Sequence, residues 1–416
     1  AGQQNDSNAG IHSGVVECTV QLIHGLWAEG VANLWTVKGN AHNAESHVLV
    51  IGHIGELLEA GHLVPDGCVK QLRNLICHAP RLTNVQKLTK AELVATIRAT
   101  ARVVSIPLRT RFRGVNEREA LLFRGPNGWA EWAPFVEYED DEAAIWLNAA
   151  VEFAFGEEPE LLRNRIGINA TLAAVTPEAV ERALAPFGEF RTVKIKVAEP
   201  GQSLNEDLAR IIKVRQLFPD ARIRLDANGG YSVDEAMAFI GMLVENGIEL
   251  DYFEQPCKTI AELAEVSLKA KRIRPDFLIA ADESVRKVSD PLAVAQAGAA
   301  DILVLKVSPL GGISRALEIS REAGLPVVVS SALDTSVGIS MGLHLAAALP
   351  QLDFDCGLGT AAMLIGDVTR EPLIAQGGYL DVRRVDVDEA KLEVFAAEDH
   401  RADWWLERLD RCLTRI

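Results

Sequence analysis

The stretch TVKIKVAEPGQSLNEDLARIIKVRQLFPDARIRLDA (192–227) contains an apolar run, TVKIKV (192–197), then a helix signal, then a second apolar run, RIRLDA (222–227). The helix signal is Ser203 followed by Glu206, a capping box in which hydroxyl and carboxylate satisfy free backbone N–H groups of the first turn. Strand, capped helix and strand in that order make a βα unit. The unit recurs in both directions. IGINAT (167–172) precedes it, and DYFEQ (251–255), LIAADE (278–283), ILVLKV (302–307), PVVVSS (326–331) and LDFDC (352–356) follow, eight runs in all. Ser232 with Glu235 and Thr259 with Glu262 repeat the box. Pro291 suits a first helical turn, and Gly247 and Gly324 suit helix stops. Eight consecutive units predict an α/β fold, a (β/α)8 TIM-like barrel whose chemistry sits at the C-terminal ends of its strands. A doubly wound sheet would carry a G-x-G-x-x-G turn after its first strand, and IGINATLAAV (167–176) has none.

Polar residues stand near the ends of these runs: Asn169, Lys196, Asp226, Glu254, Asp282, Lys306, Ser330 and Asp355. Asp226, Glu254 and Asp282 end three successive runs, so a barrel brings them to one part of its mouth. Any one of them alone reads as a helix cap or an ion pair; three in succession are hard oxygen ligands in the number that suits Mg²⁺, with Mn²⁺ as a substitute. Lys194 and Lys196 share one face of their strand because side chains alternate with period two. Lys306 ends the sixth run, across the mouth from the second. Lysine inside an apolar run demands a reason, and an amine buried beside other cations loses proton affinity and becomes a base near neutral pH.

Composition sets the class. The 416 residues are 48% hydrophobic and 24% charged, which is globular, and the formal net charge of −16 disfavours nucleic acid and anionic membrane surfaces as partners. Small ligands or metals suit it better. The first ten residues, AGQQNDSNAG, carry neither a basic nor an apolar targeting region, and the six cysteines contain no C-x-x-C pair. A cytoplasmic protein with reduced thiols is expected. Residues 1–94 form an unassigned extension. Seven of the nine histidines fall within residues 1–100, but their spacing and that of the cysteines there match no zinc template. All four methionines lie downstream, which raises the expectation of a mis-called start.

The motifs K-I-K (194–196), D-A-N (226–228), F-E-Q-P (253–256), A-D-E-S (281–284) and V-L-K (304–306) resemble the enolase superfamily and, within it, the muconate-lactonizing subgroup. PLRTRFRG (107–114), GPNGWAEWAPFVEYED (125–140), SSALDTSVG (330–338) and GLGT (357–360) are similar to the actinobacterial branch of the o-succinylbenzoate synthases. One departure is Ala130 in WAEW, where that family usually has glycine before the glutamate. The resemblance implies an α+β capping domain over residues 95–165, the barrel over 166–380 and a C-terminal segment, 381–416, packed on the cap.

It also implies roles. Asp226, Glu254 and Asp282 would hold Mg²⁺, Lys196 would be the acid/base, Lys306 the cation facing it, and Lys194 a neighbour that lowers the proton affinity of Lys196. Asn228 and Glu283 would support them. Ser330, Ser331, the loop of Gly357, Leu358 and Thr360, and Arg111 would touch substrate, with Arg109 and Arg113 as alternatives to Arg111. The implied reaction is Mg²⁺-dependent syn-dehydration of 2-succinyl-6-hydroxy-2,4-cyclohexadiene-1-carboxylate to 2-succinylbenzoate, on the route to menaquinone. The same lysines and metal ligands also fit an N-succinylamino acid racemase, a dipeptide epimerase or a muconate-type cycloisomerase. A catalytically silent scaffold is the reading from another class.

Overall fold

The computed structural model describes residues 88–112, 114–285 and 290–416. The expectations for the N-terminal extension fall almost wholly outside them. Helix α1 (Lys90–Thr100) opens on a capping box of Thr89 and Glu92. Strands β1 (Arg102–Phe112), β2 (Val115–Gly125) and β3 (Gly128–Trp132) follow as an antiparallel meander. Helix α2 (Asp140–Phe155) lays Ala143, Trp146, Leu147, Ala150 and Phe153, at helical spacing, into the apolar core.

The barrel is built on seven parallel strands: β5 (Ala170–Leu172), β6 (Thr192–Lys196), β7 (Arg222–Asp226), β8 (Tyr252–Glu254), β9 (Ile279–Ala281), β10 (Ile302–Leu305) and β11 (Val327–Val329), hydrogen-bonded in that order. Strand β4 (Arg165–Gly167), just ahead of them, pairs instead with β12 (Tyr379–Asp381). The connecting helices include α3 (Val180–Leu184), α4 (Leu204–Leu217), α5 (Val233–Glu245), α6 (Ile260–Ile273), α7 (Asp290–Gln296), α8 (Val307–Leu310), α9 (Ile313–Ala323) and α10 (Ser336–Ala348). The three capping boxes read from the sequence form at Ser203, Ser232 and Thr259, and Gly324 closes α9 with φ +64.

The eighth run departs from expectation. LDFDC makes no strand; single parallel bridges, Ile168 to Cys356 and Ser330 to Gly357, join it to both edges of the seven-stranded sheet. The row of polar run-ends is corrected with it. Asp355 accepts from Arg191, Arg222 and Thr192, at the N-terminal ends of β6 and β7, so it lies at the floor of the barrel, away from the mouth. Asn169 is likewise engaged by buried Arg224 in mid-barrel. The reason is register: it is Gly357, two residues beyond Asp355, that lies level with Ser330.

After α11 (Glu389–Val394), helix α12 (Asp399–Leu413) returns to the meander. Trp405 meets Trp132 edge to face at 5.4 Å, and Arg401 bonds the carboxylate of Glu119 on β2.

Candidate active site

Register places the charged side chains. Lys196 is the direct partner of Asp226, and Asp226 of Glu254, so the three lie level on neighbouring strands with side chains on the same face. Glu254 pairs with Ala280, and Asp282, two residues further, points the same way one step nearer the mouth. Lys194 lies one pleat below Lys196. Its ammonium reaches up to donate to both oxygens of Glu254, at 2.8 and 2.9 Å, and lies 3.0 Å from Asp226 Oδ2. Lys196 Nζ donates to Asp226 Oδ2 at 2.5 Å and Asn228 Oδ1 at 2.6 Å, with the ring of Phe112 from the cap 5.3 Å away. Lys306, just past β10, pairs with Asp282.

All six charges are buried, the carboxylates of Asp226 and Glu254 completely. Burial alone would raise Asp226, but Lys194 and Lys196 override it and hold the carboxyl well below its usual range. Glu254 is pushed up to about 8, by burial and then by the negative charge of Asp226. Burial opposes the ammonium of Lys194, yet Asp226 and Glu254 keep its proton affinity well above that of an ordinary amine. Carboxylates that crowd one another in this way accept a further cation readily.

Among the described residues no three carboxylate, thiol or imidazole donors close on a common point. The ammonium groups explain that arrangement: Asp226 and Glu254 already converge on one cation, the amine of Lys194, while Lys306 holds Asp282. Three buried oxygen donors on adjacent strands form a set that fits a divalent metal. Outside them, Asn228 Nδ2 donates to Glu283 Oε1, and the side-chain oxygen of Gln255 accepts from the N–H groups of Asp282 and Ser284. Asn228 and Gln255 both adopt positive φ, +46 and +39, directly behind the carboxylate-bearing strand ends.

A cavity of about 40 Å³ opens above the charges. Lys194, Lys196, Asp226, Asp282, Lys306, Ser330, Ser331, Gly357 and Thr360 all line it. The hydroxyls of Ser331 and Thr360 lie 2.7 Å apart, and Ser331 donates to the carbonyl of Gly357. Leu358 lies outside the cavity lining, its side chain packed close to Gly342 on α10. Arg111 is exposed on β1; Arg109 lines an adjoining cavity, and Arg113 falls outside the described residues. The cap also supplies Phe112, Val115 and Phe135, and the loop after β11 supplies Ala332 and Leu333. Apolar residues carry no chemical signature in a sequence, so only the closure of cap on barrel reveals them.

Residues 103–154 match the model of the enolase N-terminal domain-like family, and residues 175–386 that of the enolase C-terminal domain-like family. The o-succinylbenzoate synthase of Mycolicibacterium smegmatis is 51% identical over 310 residues, 74% of this chain and 94% of that protein. The chain belongs to the o-succinylbenzoate synthase family of the enolase superfamily. The o-succinylbenzoate synthase of Mycobacterium tuberculosis (strain H37Rv) is also 51% identical, over 314 residues, 76% of this chain and 94% of that protein. Among solved structures, muconate lactonizing enzyme from Pseudomonas putida shares the fold with a TM-score of 0.59 at 21% identity, covering 71% of this chain and 98% of that one. A probable mandelate racemase from Alicyclobacillus acidocaldarius aligns with a TM-score of 0.56 at 24% identity, over 72% of this chain and 95% of that one. These two establish the architecture alone, a barrel with an N-terminal cap. As an o-succinylbenzoate synthase the chain is a hydro-lyase acting on a small molecule. Among the described residues no helix is long and apolar enough to cross a membrane.

Proposed function

We propose that the chain dehydrates 2-succinyl-6-hydroxy-2,4-cyclohexadiene-1-carboxylate to 2-succinylbenzoate for menaquinone synthesis, with Lys196 as the acid/base. The observation that carries this is the placement of Lys196 and Lys306 at strand ends on opposite sides of three buried carboxylates. Asp226, Glu254 and Asp282 would hold Mg²⁺, for which Mn²⁺ can substitute. Bound there, the metal would neutralise charge gathering on the substrate carboxylate as the adjacent proton leaves.

Lys196, once deprotonated, takes the proton from the carbon bearing the carboxylate. The C–O bond to the ring hydroxyl then breaks, and Lys196 returns the same proton to that oxygen. The products are water and an aromatic ring, so atoms and charge balance. One base on one face suits a syn elimination. Asn228, within hydrogen-bond reach of Lys196, fixes the direction of its amine. Lys306 faces the substrate from the far side as a fixed cation over the electron-rich intermediate. Lys194 stays charged beneath and opposes protonation of Lys196. Ser330, Ser331, Gly357 and Thr360 receive the succinyl end, and a cap arginine, Arg111 or Arg109, completes that pocket.

Residues 95–165 act as cap, 166–380 as barrel and 381–416 as a brace on the cap, a division supported by the Trp132–Trp405 contact and by the bond from Arg411 to Asp140 on α2. We place the enzyme in the cytoplasm. Buried Cys257, Cys356 and Cys412 are free thiols, in keeping with a reducing compartment.

The test is loss of the cyclohexadiene absorbance with purified protein, with and without Mg²⁺. Rapid metal-dependent aromatisation is expected; none would refute the assignment. A second reading, N-succinylamino acid racemisation, is favoured by the same opposed lysines, which could serve the two faces of one α-carbon. Racemisation without aromatisation would put it first.

A further inference from the structure

Behind the loop that follows β11, cap and barrel meet in a buried charge cluster that the dehydration does not use. Glu131 on β3 sets its carboxylate at the N-terminus of α10. It accepts from Thr335 N at 3.1 Å, Thr335 Oγ1 at 2.5 Å and Gly338 N at 3.1 Å. The approach is close enough that a Cβ on Gly338 would lie 2.6 Å from the Cβ of Asp334 and 3.0 Å from the carboxylate of Glu131. Arg118 on β2, only 4% exposed, donates from Nε to the carbonyl of Leu333 at 3.2 Å and from another arm to the carbonyl of Ala133. Its guanidinium lies 4.7 Å over the ring of Phe135 and 3.9 Å from Asp334.

Leu333 has φ +68, a left-handed conformation that side chains beyond glycine rarely hold unsupported. It also lines the substrate cavity together with Ser330, Ser331 and Ala332. The strained residue of this loop is therefore gripped at its carbonyl by a buried cation from the cap, and the helix following the loop is gripped by a buried carboxylate from the cap.

We propose that Arg118 and Glu131 are positioning residues for substrate binding: from the cap they hold the 330–334 loop, with Leu333 left-handed, in the shape that presents Ser330 and Ser331 to the cavity. The inference rests on the dehydratase reading for the identity of the substrate, and its chemistry is conformational. Without the grip of Arg118 on its carbonyl, Leu333 relaxes toward ordinary backbone angles and the serines swing out of register. A residue free to adopt positive φ needs no grip.

The test is a double-mutant cycle of Arg118→Lys and Leu333→Gly, followed by steady-state kinetics, amide hydrogen exchange over residues 331–335 and a melting curve. In Arg118→Lys we expect KM to rise about tenfold, the ratio set by strain of this order, with kcat within about threefold and faster exchange in the loop. In the Leu333→Gly background the same arginine change should move KM and exchange by less than about threefold, because the strain it opposes is gone. Glu131→Ala, which removes the group that accepts from Thr335 and Gly338, should raise KM in the same way and provides a second route if Arg118→Lys folds poorly. An unchanged KM and exchange rate in Arg118→Lys overturns the proposal. So does an equal effect of that change in both backgrounds, or a common fall of kcat, KM and melting temperature. Should the wild-type protein fail to aromatise the cyclohexadiene, the functional reading falls, and the exchange data still decide the inference.

Discussion

Replacing Lys196 by Met leaves an apolar stem beneath Phe112 and removes the ammonium alone. That ammonium donates to Asp226 at 2.5 Å and Asn228 at 2.6 Å, and charge-assisted bonds of this kind contribute about 1.5–3 kcal/mol each. Asp226 nevertheless keeps Lys194 at 3.0 Å and the N–H of Asn228 at 3.1 Å, so its buried charge is not orphaned. Loss of stability should therefore stay near 1–3 kcal/mol, below the roughly 3–5 kcal/mol of a buried pair broken outright. Turnover behaves differently. Lys196 both removes and returns the proton, and a general acid/base supplies about 10²–10⁴ in rate, so Lys196→Met should lose at least about 10³ in kcat, roughly 4 kcal/mol of barrier. Divalent metal binding should persist or tighten, since the variant removes one positive charge from the crowded carboxylates. The assay pairs loss of cyclohexadiene absorbance with calorimetric titration of Mn²⁺. Turnover within about tenfold of wild type in a folded variant would remove Lys196 from the proton-transfer role, and loss of Mn²⁺ binding would reassign it to building the metal site.

Lys306→Met should lower kcat by about 10²–10³, the effect of losing one preorganised charge, while leaving KM within a few-fold in the same absorbance assay. Glu254→Gln should weaken Mn²⁺ binding by more than the roughly 10–100-fold typical of losing an outer partner of a metal ligand, read by calorimetry, and chelation of the wild-type enzyme should stop turnover until Mg²⁺ is restored. Glu131 is raised from 4.5 to about 8 by burial and then by Asp334, against the bonds from Thr335. Its native form thus keeps a proton that the unfolded chain has released between those values, and stability falls as pH rises through that window by up to about 1.4 kcal/mol per pH unit. Urea unfolding across the window should show a shallower slope for Glu131→Gln; identical slopes would refute this. Gly357→Ala would set a Cβ 2.6 Å from Ser330 Oγ, so the serine must turn away and KM should rise with kcat little changed; an unaltered KM would show that Ser330 does not contact substrate.

The buried charge cluster was legible in the chain because it rests on residue types that are costly to bury. Lysine in an apolar run and a carboxylate at the end of each of three successive runs stand out against the hydrophobic pattern, and period-two alternation assigns them to one face. The capping boxes were equally local, each completed within four residues, and so were read correctly at Ser203, Ser232 and Thr259. The eighth run looked like a strand because it is short and apolar, but its bridges to Ile168 and Ser330 depend on the gap left between the first and last strands of the sheet. The level of Asp355 follows from those bridges. It could not be read from spacing.

What the sequence by itself determined is the repeating unit, the set of buried carboxylates and lysines, and the family, since all three reside in local pattern and residue identity. The tertiary structure alone decided which apolar side chains wall the cavity, that Asp355 belongs to the floor, and that Arg118 and Glu131 reach from the cap to the loop behind Ser331. Those contacts join residues some two hundred positions apart in the chain, and the low dielectric that gives them their strength exists only once cap and barrel have excluded water between them.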